Sequence, residues 1–197
     1  MCRSDHDQSG KAVKRMKYSP STLWLTGLSA AGKTTLAQAL ADTLATAGVA
    51  CQVLDGDVVR QQLSRDLGYT REDRSENIRR VAYRCRELND VGTWAIAALI
   101  SPYRDDRELA RQTIGESRFF EVYLATPLAV CEARDPKGLY CRARAGEVAN
   151  FTGVSDSYEA PLNPDLLFDT SLQPLSDCVA ATLRILGLSD VPVQGSD

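Results

Sequence analysis

One string near the start of the chain, Gly27-Leu28-Ser29-Ala30-Ala31-Gly32-Lys33-Thr34, constrains the fold more than any other feature. It fits G-x-x-x-x-G-K-[ST], follows the apolar run TLWLT, and precedes a segment with Leu36, Leu40 and Leu44 at helical spacing. A strand, a glycine-bearing turn and a helix in that order aim backbone N–H groups and the positive end of a helix at one point, a seat for phosphate oxygens. Lys33 is expected to neutralise the β- and γ-phosphates of a nucleoside triphosphate, and the Thr34 hydroxyl to join the shell of Mg²⁺. The stretch from Gly27 to Thr34, with Thr35 next to it, is the expected triphosphate-binding loop, the seat of ATP if the chain is a kinase.

From Ser21 onward, short apolar runs alternate with helical patterns. TLWLTG, ACQVLDGD, TWAIAALIS, FFEVYLAT and LLFDT read as strands, and the segments between them carry helical spacing. This order predicts an α/β protein of the P-loop NTPase fold, an open parallel five-stranded sheet with helices on both faces. Ile78, Val81, Ala82, Cys85 and Leu88 form the apolar face of one helix, with Thr70 and Asp73 offering a cap at its start and Gly92 a stop. Residues 1–18 and 190–197 read as loose tails around one domain at 19–189. The aperiodic stretch at about 135–163 reads as a lid.

The balance of 44% hydrophobic and 25% charged residues over 197 positions suits a single compact core. A net charge of -3 gives no global attraction to nucleic acid or to an anionic membrane, and no apolar run is long enough to span a bilayer. The start of the chain lacks a secretory pattern, so the expected location is cytoplasmic. The six cysteines contain no C-x-x-C pair and read as reduced thiols. With His6 the only histidine, a histidine-based metal site or a Ser-His-Asp triad is excluded.

A phosphate-binding loop does not by itself distinguish a kinase from a switch protein or a motor. The chain has no N-K-x-D or T-K-x-D run after the loop and is too short for motor machinery, which leaves a small-molecule kinase. Asp55 and Asp57 close the second strand, where open α/β sheets bind their ligands. One carboxylate can hold Mg²⁺ through water and the other can take a hydroxyl proton; the alternative is a pair that caps a helix. Between Arg60 and Arg86 stand eight arginines against four acids, a local positive region that suits a doubly anionic ligand. Arg79, Arg84 and Arg86 read instead as a solvated helix face. Tyr69 and Phe151 sit in glycine-containing loops, so base stacking competes with a place in the core.

In order along the chain, GLSAAGKTT, LDGDVVR, RDLGYTREDRSENIRR, ISPYRDDRE, FFEVYLATPLAVCEARDPKGLY, ARAGEVANFTGV and YEAPLNPDLLFDT resemble the adenylyl-sulfate kinase family. The likeness runs from about Ser21 to Leu186. It implies transfer of the γ-phosphate of ATP to the 3′-hydroxyl of adenosine 5′-phosphosulfate (APS), which gives 3′-phosphoadenosine 5′-phosphosulfate in sulfate activation. It further implies Asp57 as base or magnesium carboxylate with Asp55 supporting it, and Arg60, Arg74 and Asn77 on the phosphosulfate. Tyr69 and Phe151 would enclose the adenine, Ile100 and Ser101 contact the sugar-phosphate region, and Lys137, Gly138 and Leu139 belong to the lid. Thr34 and Asp57 are the implied magnesium ligands. A homodimer and an ATP sulfurylase partner are implied as well. Two positions depart from the family pattern: Ala30 replaces a glycine, at a cost set by the sign of its φ, and Val58 replaces the asparagine of D-G-D-N. The competing readings are a related kinase for another anionic nucleotide or specialised metabolite, hinted at only by Val58, and a nucleotide-binding scaffold. The presence of Lys33, Thr34, Asp55 and Asp57 argues against the scaffold.

Overall fold

The computed structural model describes residues 19–188, so the expectations for both tails lie outside the described residues. In chain order the elements are β1 (Thr22–Gly27), α1 (Lys33–Thr46), β2 (Cys51–Asp55), α2 (Gly56–Gln62), α3 (Arg71–Asp90), β3 (Trp94–Ala98) and α4 (Arg104–Ile114). After a 3₁₀ turn at Glu116–Arg118 come β4 (Phe119–Leu124), α5 (Leu128–Arg134), α6 (Leu139–Arg144), β5 (Leu166–Phe168) and α7 (Leu175–Ile185). The strands form one five-stranded sheet in the order β2-β3-β1-β4-β5, with every pairing parallel. This is the α/β sheet expected from the alternation of apolar runs.

Every residue of β1 is buried, because the strand lies in the middle of the sheet with helices above and below. Successive side chains of a strand point to opposite faces. Leu23 and Leu25 therefore enter a core with Leu36, Leu40 and Leu44 of α1 and Val179 and Leu183 of α7. Trp24 enters a second core, with Ile78, Val81 and Cys85 of α3 and Ala110 and Ile114 of α4. Trp24 lies opposite Ala97 in the register, and its ring centroid is 5.6 Å from that of Phe119. The small residue on the neighbouring strand leaves room for the indole.

α3 begins at a capping box: the Thr70 hydroxyl accepts from the Asp73 amide while the Asp73 carboxylate accepts from the Thr70 amide. The helix stops at Val91, followed by Gly92 at φ 88°. The stretch at 135–163 is less irregular than its sequence. It holds α6, with Tyr140 and Ala143 buried one turn apart, and a single bridge between Thr152 and Asp156. Six helical residues are too few to display a period.

Asn89, in the last turn of α3, ties the starts of two strands together. Its Oδ1 accepts from the Thr22 hydroxyl at 2.8 Å, and its Nδ2 donates to the carbonyls of Ser21 at 3.0 Å and Thr93 at 3.1 Å. Asn89→Ala strands these buried groups without partners and is expected to lower stability by about 2 kcal/mol. Urea unfolding measures it; a loss below about 0.5 kcal/mol would show that water replaces the amide.

Candidate active site

The loops leaving β1, β2 and β3 open on the carboxyl edge of the sheet and line a cleft of about 960 Å³. The phosphate-binding loop forms its floor. A Cβ on Gly27 would lie 2.6 Å from the Leu124 carbonyl oxygen, so only glycine lets the end of β1 approach β4 this closely. Gly32, at φ 96°, turns the chain into α1. Ala30 has φ 60°, the costly case for a residue with a Cβ, worth about 1 kcal/mol. Its carbonyl accepts from Arg134 Nη1 at 3.3 Å. Arg134 also donates to Thr170 Oγ1 at 2.8 Å and to the Thr170 carbonyl at 2.9 Å, while the Thr170 hydroxyl donates to the Ala31 carbonyl at 3.0 Å. The strained loop is thus braced from the end of α5 and from the loop after β5.

Lys33 is buried, with its amine donating to the carbonyls of Gly27 at 2.9 Å and Leu28 at 2.6 Å. Burial pushes its pKa down to about 8. Beside it, Thr34 Oγ1 donates to Asp55 Oδ2 at 2.7 Å, and Asp55 Oδ1 accepts from the Asp57 amide at 3.0 Å, which caps α2. The capping role foreseen as an alternative and a place in the cleft are both realised by Asp55. Asp57, one residue into α2, forms an ion pair with Lys137. Val58 is exposed on the same turn, and nothing in the structure explains its presence.

Around the far end of the cleft, the Arg60 guanidinium lies 4.7 Å from the Tyr69 ring centroid and that of Arg74 lies 5.7 Å from it. Arg74 is buried and donates to the carbonyls of Tyr69 at 3.2 Å and Asn150 at 2.6 Å. Tyr69 is 60% exposed, whereas Phe151 is 8% exposed and meets Tyr140 edge-on at 5.0 Å. The tyrosine is free to present its ring, and the phenylalanine is partly a core residue. Asn77 Oδ1 and Thr152 Oγ1, both at the cleft, are buried without a partner among the described residues, the state of groups that await a ligand or water. The Ile100 carbonyl accepts from Thr26 Oγ1 at 2.7 Å, and Ser101 takes φ 39°.

Most of the residues singled out in the sequence line this cleft. Gly27, Leu28, Ala31 and Gly138 do not: the first three belong to the loop but turn their carbonyls to Lys33 and Thr170, and Gly138 makes the left-handed turn into α6 between Lys137 and Leu139. Sequence reasoning missed Arg134, Thr170 and Thr152. Arg134 and Thr170 are 36 residues apart and meet only through the fold. Arg80 binds Asp66 and the Leu63 carbonyl and so anchors the loop that carries Tyr69. Glu76 accepts from both Arg79 and Arg80, which hold its carboxyl down at about 2.

Two measurements follow from the loop. Ala30→Gly removes the left-handed strain and is expected to raise stability by about 1 kcal/mol in urea unfolding; an unchanged or lower midpoint would contradict that strain. The second concerns protons. With its folded pKa lowered from 10.5 to about 8, Lys33 sheds a proton that the unfolded chain keeps, so its contribution to stability increases as pH rises between those values. Phosphates restore its charge. ATP binding at pH 8.5 should therefore take up a fraction of a proton, seen as a dependence of calorimetric heat on buffer ionisation enthalpy and absent in Lys33→Met. Equal heats in all buffers would refute it.

Comparisons with known proteins identify the family and the fold. The family model described as adenylylsulphate kinase matches residues 19–169. An adenylyl-sulfate kinase of Pseudomonas entomophila is 52% identical over 174 residues, covering 88% of this chain and 84% of that protein. The bifunctional enzyme NodQ of Rhizobium tropici is 52% identical over 167 residues, 84% of this chain and 26% of that protein. Among solved structures, the APS kinase CysC of Mycobacterium tuberculosis in complex with AMPPNP and APS superposes with a TM-score of 0.83 at 40% identity, over 86% of this chain and 99% of that one. The phosphate-binding loop, the acidic pair and the arginine-lined end share one cleft in a chain matched over most of its length, and it belongs to the adenylylsulphate kinase family, with the activity of an ATP-dependent adenylyl-sulfate kinase.

Proposed function

We propose that the two ends of the cleft divide the reaction between them, with ATP on the phosphate-binding loop and APS between Tyr69, Phe151 and the arginines. Lys33 and the loop amides hold the ATP phosphates. Arg60, Arg74 and Asn77 receive the phosphosulfate, for which fork-shaped guanidinium donors give paired contacts. Tyr69 and Phe151 enclose the adenine, and the turn at Ile100 and Ser101 seats the sugar-phosphate. Asp57 accepts the proton from the 3′-hydroxyl as that oxygen attacks the γ-phosphorus. The observation that carries this reading is the Thr34–Asp55–Asp57–Lys137 chain of contacts between the loop and α2. It joins a phosphate-facing hydroxyl, two carboxylates and a mobile-length cation in one row.

The donor set also fits Mg²⁺. Thr34, Asp55 and Asp57 offer hard oxygens, and among the described residues no cluster of three or more acidic, histidine or cysteine side chains forms a self-sufficient metal site. That matches an ion carried largely by substrate phosphates and water. Thr34 and Asp57, with Asp55 beside them, would hold it, and bound there it would offset charge on the phosphates. Lys137 balances Asp57 in this arrangement and is free to exchange that carboxylate for a phosphate oxygen when substrates enter. Residues 135–163 act as a lid that excludes water, which would otherwise accept the γ-phosphate. A cytoplasmic setting is supported by the free thiols of Cys51, Cys85, Cys131, Cys141 and Cys178. Among the described residues no helix is long and apolar enough to cross a membrane. The likeness to the family supports a homodimer, and the longer bifunctional relative supports a partner enzyme working alongside, for which ATP sulfurylase is the candidate.

Purified protein given ATP, Mg²⁺ and APS should form 3′-phosphoadenosine 5′-phosphosulfate. Asp57→Ala is expected to lower kcat at least about 100-fold while ATP still binds; a variant with near-normal turnover would remove Asp57 from the role of base. Arg74→Lys should raise KM for APS about tenfold and leave KM for ATP within about twofold.

A further inference from the structure

Arg107 lies on α4 and is 3% exposed. It does not line the cleft, yet its donors reach three separate segments. Nε donates to Glu121 Oε1 of β4 at 2.8 Å, Nη1 to the Ser101 carbonyl at 2.6 Å, and Nη2 to the Glu159 carbonyl at 2.6 Å. A buried guanidinium is tolerated only when its charge and donors are satisfied. Here the carboxylate meets the charge, and the planar fork is left to set the spacing of two loop carbonyls.

The first of those segments, the Ser101 turn, lines the cleft, and the second packs behind it and reaches Arg74, which also lines the cleft. The first is the turn after β3, where Ser101 is strained at φ 39° and its hydroxyl accepts from Trp24 Nε1 at 3.1 Å. The second is the closing part of the lid segment, residues 156–159. Its Glu159 amide donates to the Pro102 carbonyl at 2.8 Å, and the Glu159 carboxylate accepts from the Arg104 amide at 2.9 Å. Three residues earlier, Asp156 Oδ2 accepts from the Tyr103 hydroxyl at 2.8 Å and lies 3.9 Å from Arg74 Nε. One buried side chain therefore joins the Ser101 turn to the lid exit, and the lid exit touches Arg74.

We propose that Arg107 is a positioning residue for the acceptor nucleotide: it fixes the distance between the Ser101 turn and the returning lid segment, and with it the width of the seat for APS. The inference rests on the acceptor-site reading above. Arg107 itself touches no substrate. The ATP end is braced by a different set, Arg134 and Thr170, so the effect of loosening Arg107 falls on one substrate only.

Steady-state kinetics with each substrate varied test this. Arg107→Lys keeps a cation opposite Glu121 and loses the fork; KM for APS should rise about fivefold or more, with KM for ATP within about twofold. Glu121→Gln keeps the guanidinium against a neutral acceptor and should give a smaller rise of the same kind, about twofold, and it decides the matter should the lysine variant fail to fold. Equal increases in both KM values, or a lower melting temperature with both KM values unchanged, would overturn the proposal. Arg74→Lys separates the two levels. If it raises KM for APS and the Arg107 and Glu121 variants do not, the positioning role alone fails; if none of the three does, the acceptor-site reading fails and the proposal falls with it.

Discussion

A lysine amine buried against backbone carbonyls at the end of the central strand is the interaction on which the rest of the cleft depends. Moving an ammonium out of water is costly, and the Gly27 and Leu28 carbonyls offset only part of that cost, as the lowered pKa of Lys33 records. The site is therefore left with an unmet preference for anionic oxygens. To bring those carbonyls under the amine, the chain has to curl tightly, and the curl forces β1 against β4 at Gly27 and positive φ at Ala30 and Gly32. A loop so shaped does not hold itself. The parallel sheet fixes one end, α1 the other, and Arg134 with Thr170 clasps the middle.

The acidic pair extends the same logic. Asp55 uses one oxygen to cap α2 and the other to accept from the Thr34 hydroxyl, so a single carboxylate sets the orientation of the helix that carries Asp57 and of the hydroxyl next to Lys33. Asp57 is balanced by Lys137 from the far side of the cleft. The chain carries a net charge of -3, yet its cleft gathers Lys33, Arg60, Arg74 and Lys137. Charge is placed locally and against the global sign, which favours anionic ligands in this cleft.

Much of this was legible in the sequence because the signals are local. Strand alternation, the glycine-lysine string, the Thr70–Asp73 cap and the Asp55–Asp57 pair each lie within a few residues, where backbone geometry dictates the outcome. Other features were not legible. Whether Ala30 is a mild or a costly replacement depends on its φ, which the loop's tertiary braces impose. Phe151 reads as a loop aromatic, but its ring packs on Tyr140, a partner supplied by a helix too short to announce itself.

The sequence by itself determined the class of fold, the phosphate-binding loop and the acidic pair beside a local excess of arginines, because periodicity, turn chemistry and motif spacing are properties of neighbours along the chain. Tertiary structure alone decided which distant residues meet: Lys137 with Asp57, Arg134 with Ala30 and Thr170, and Arg107 with Ser101, Glu121 and Glu159. These contacts span segments far apart in sequence, and their geometry is set by how the helices pack on the sheet and by the need of each buried charge to find its partners.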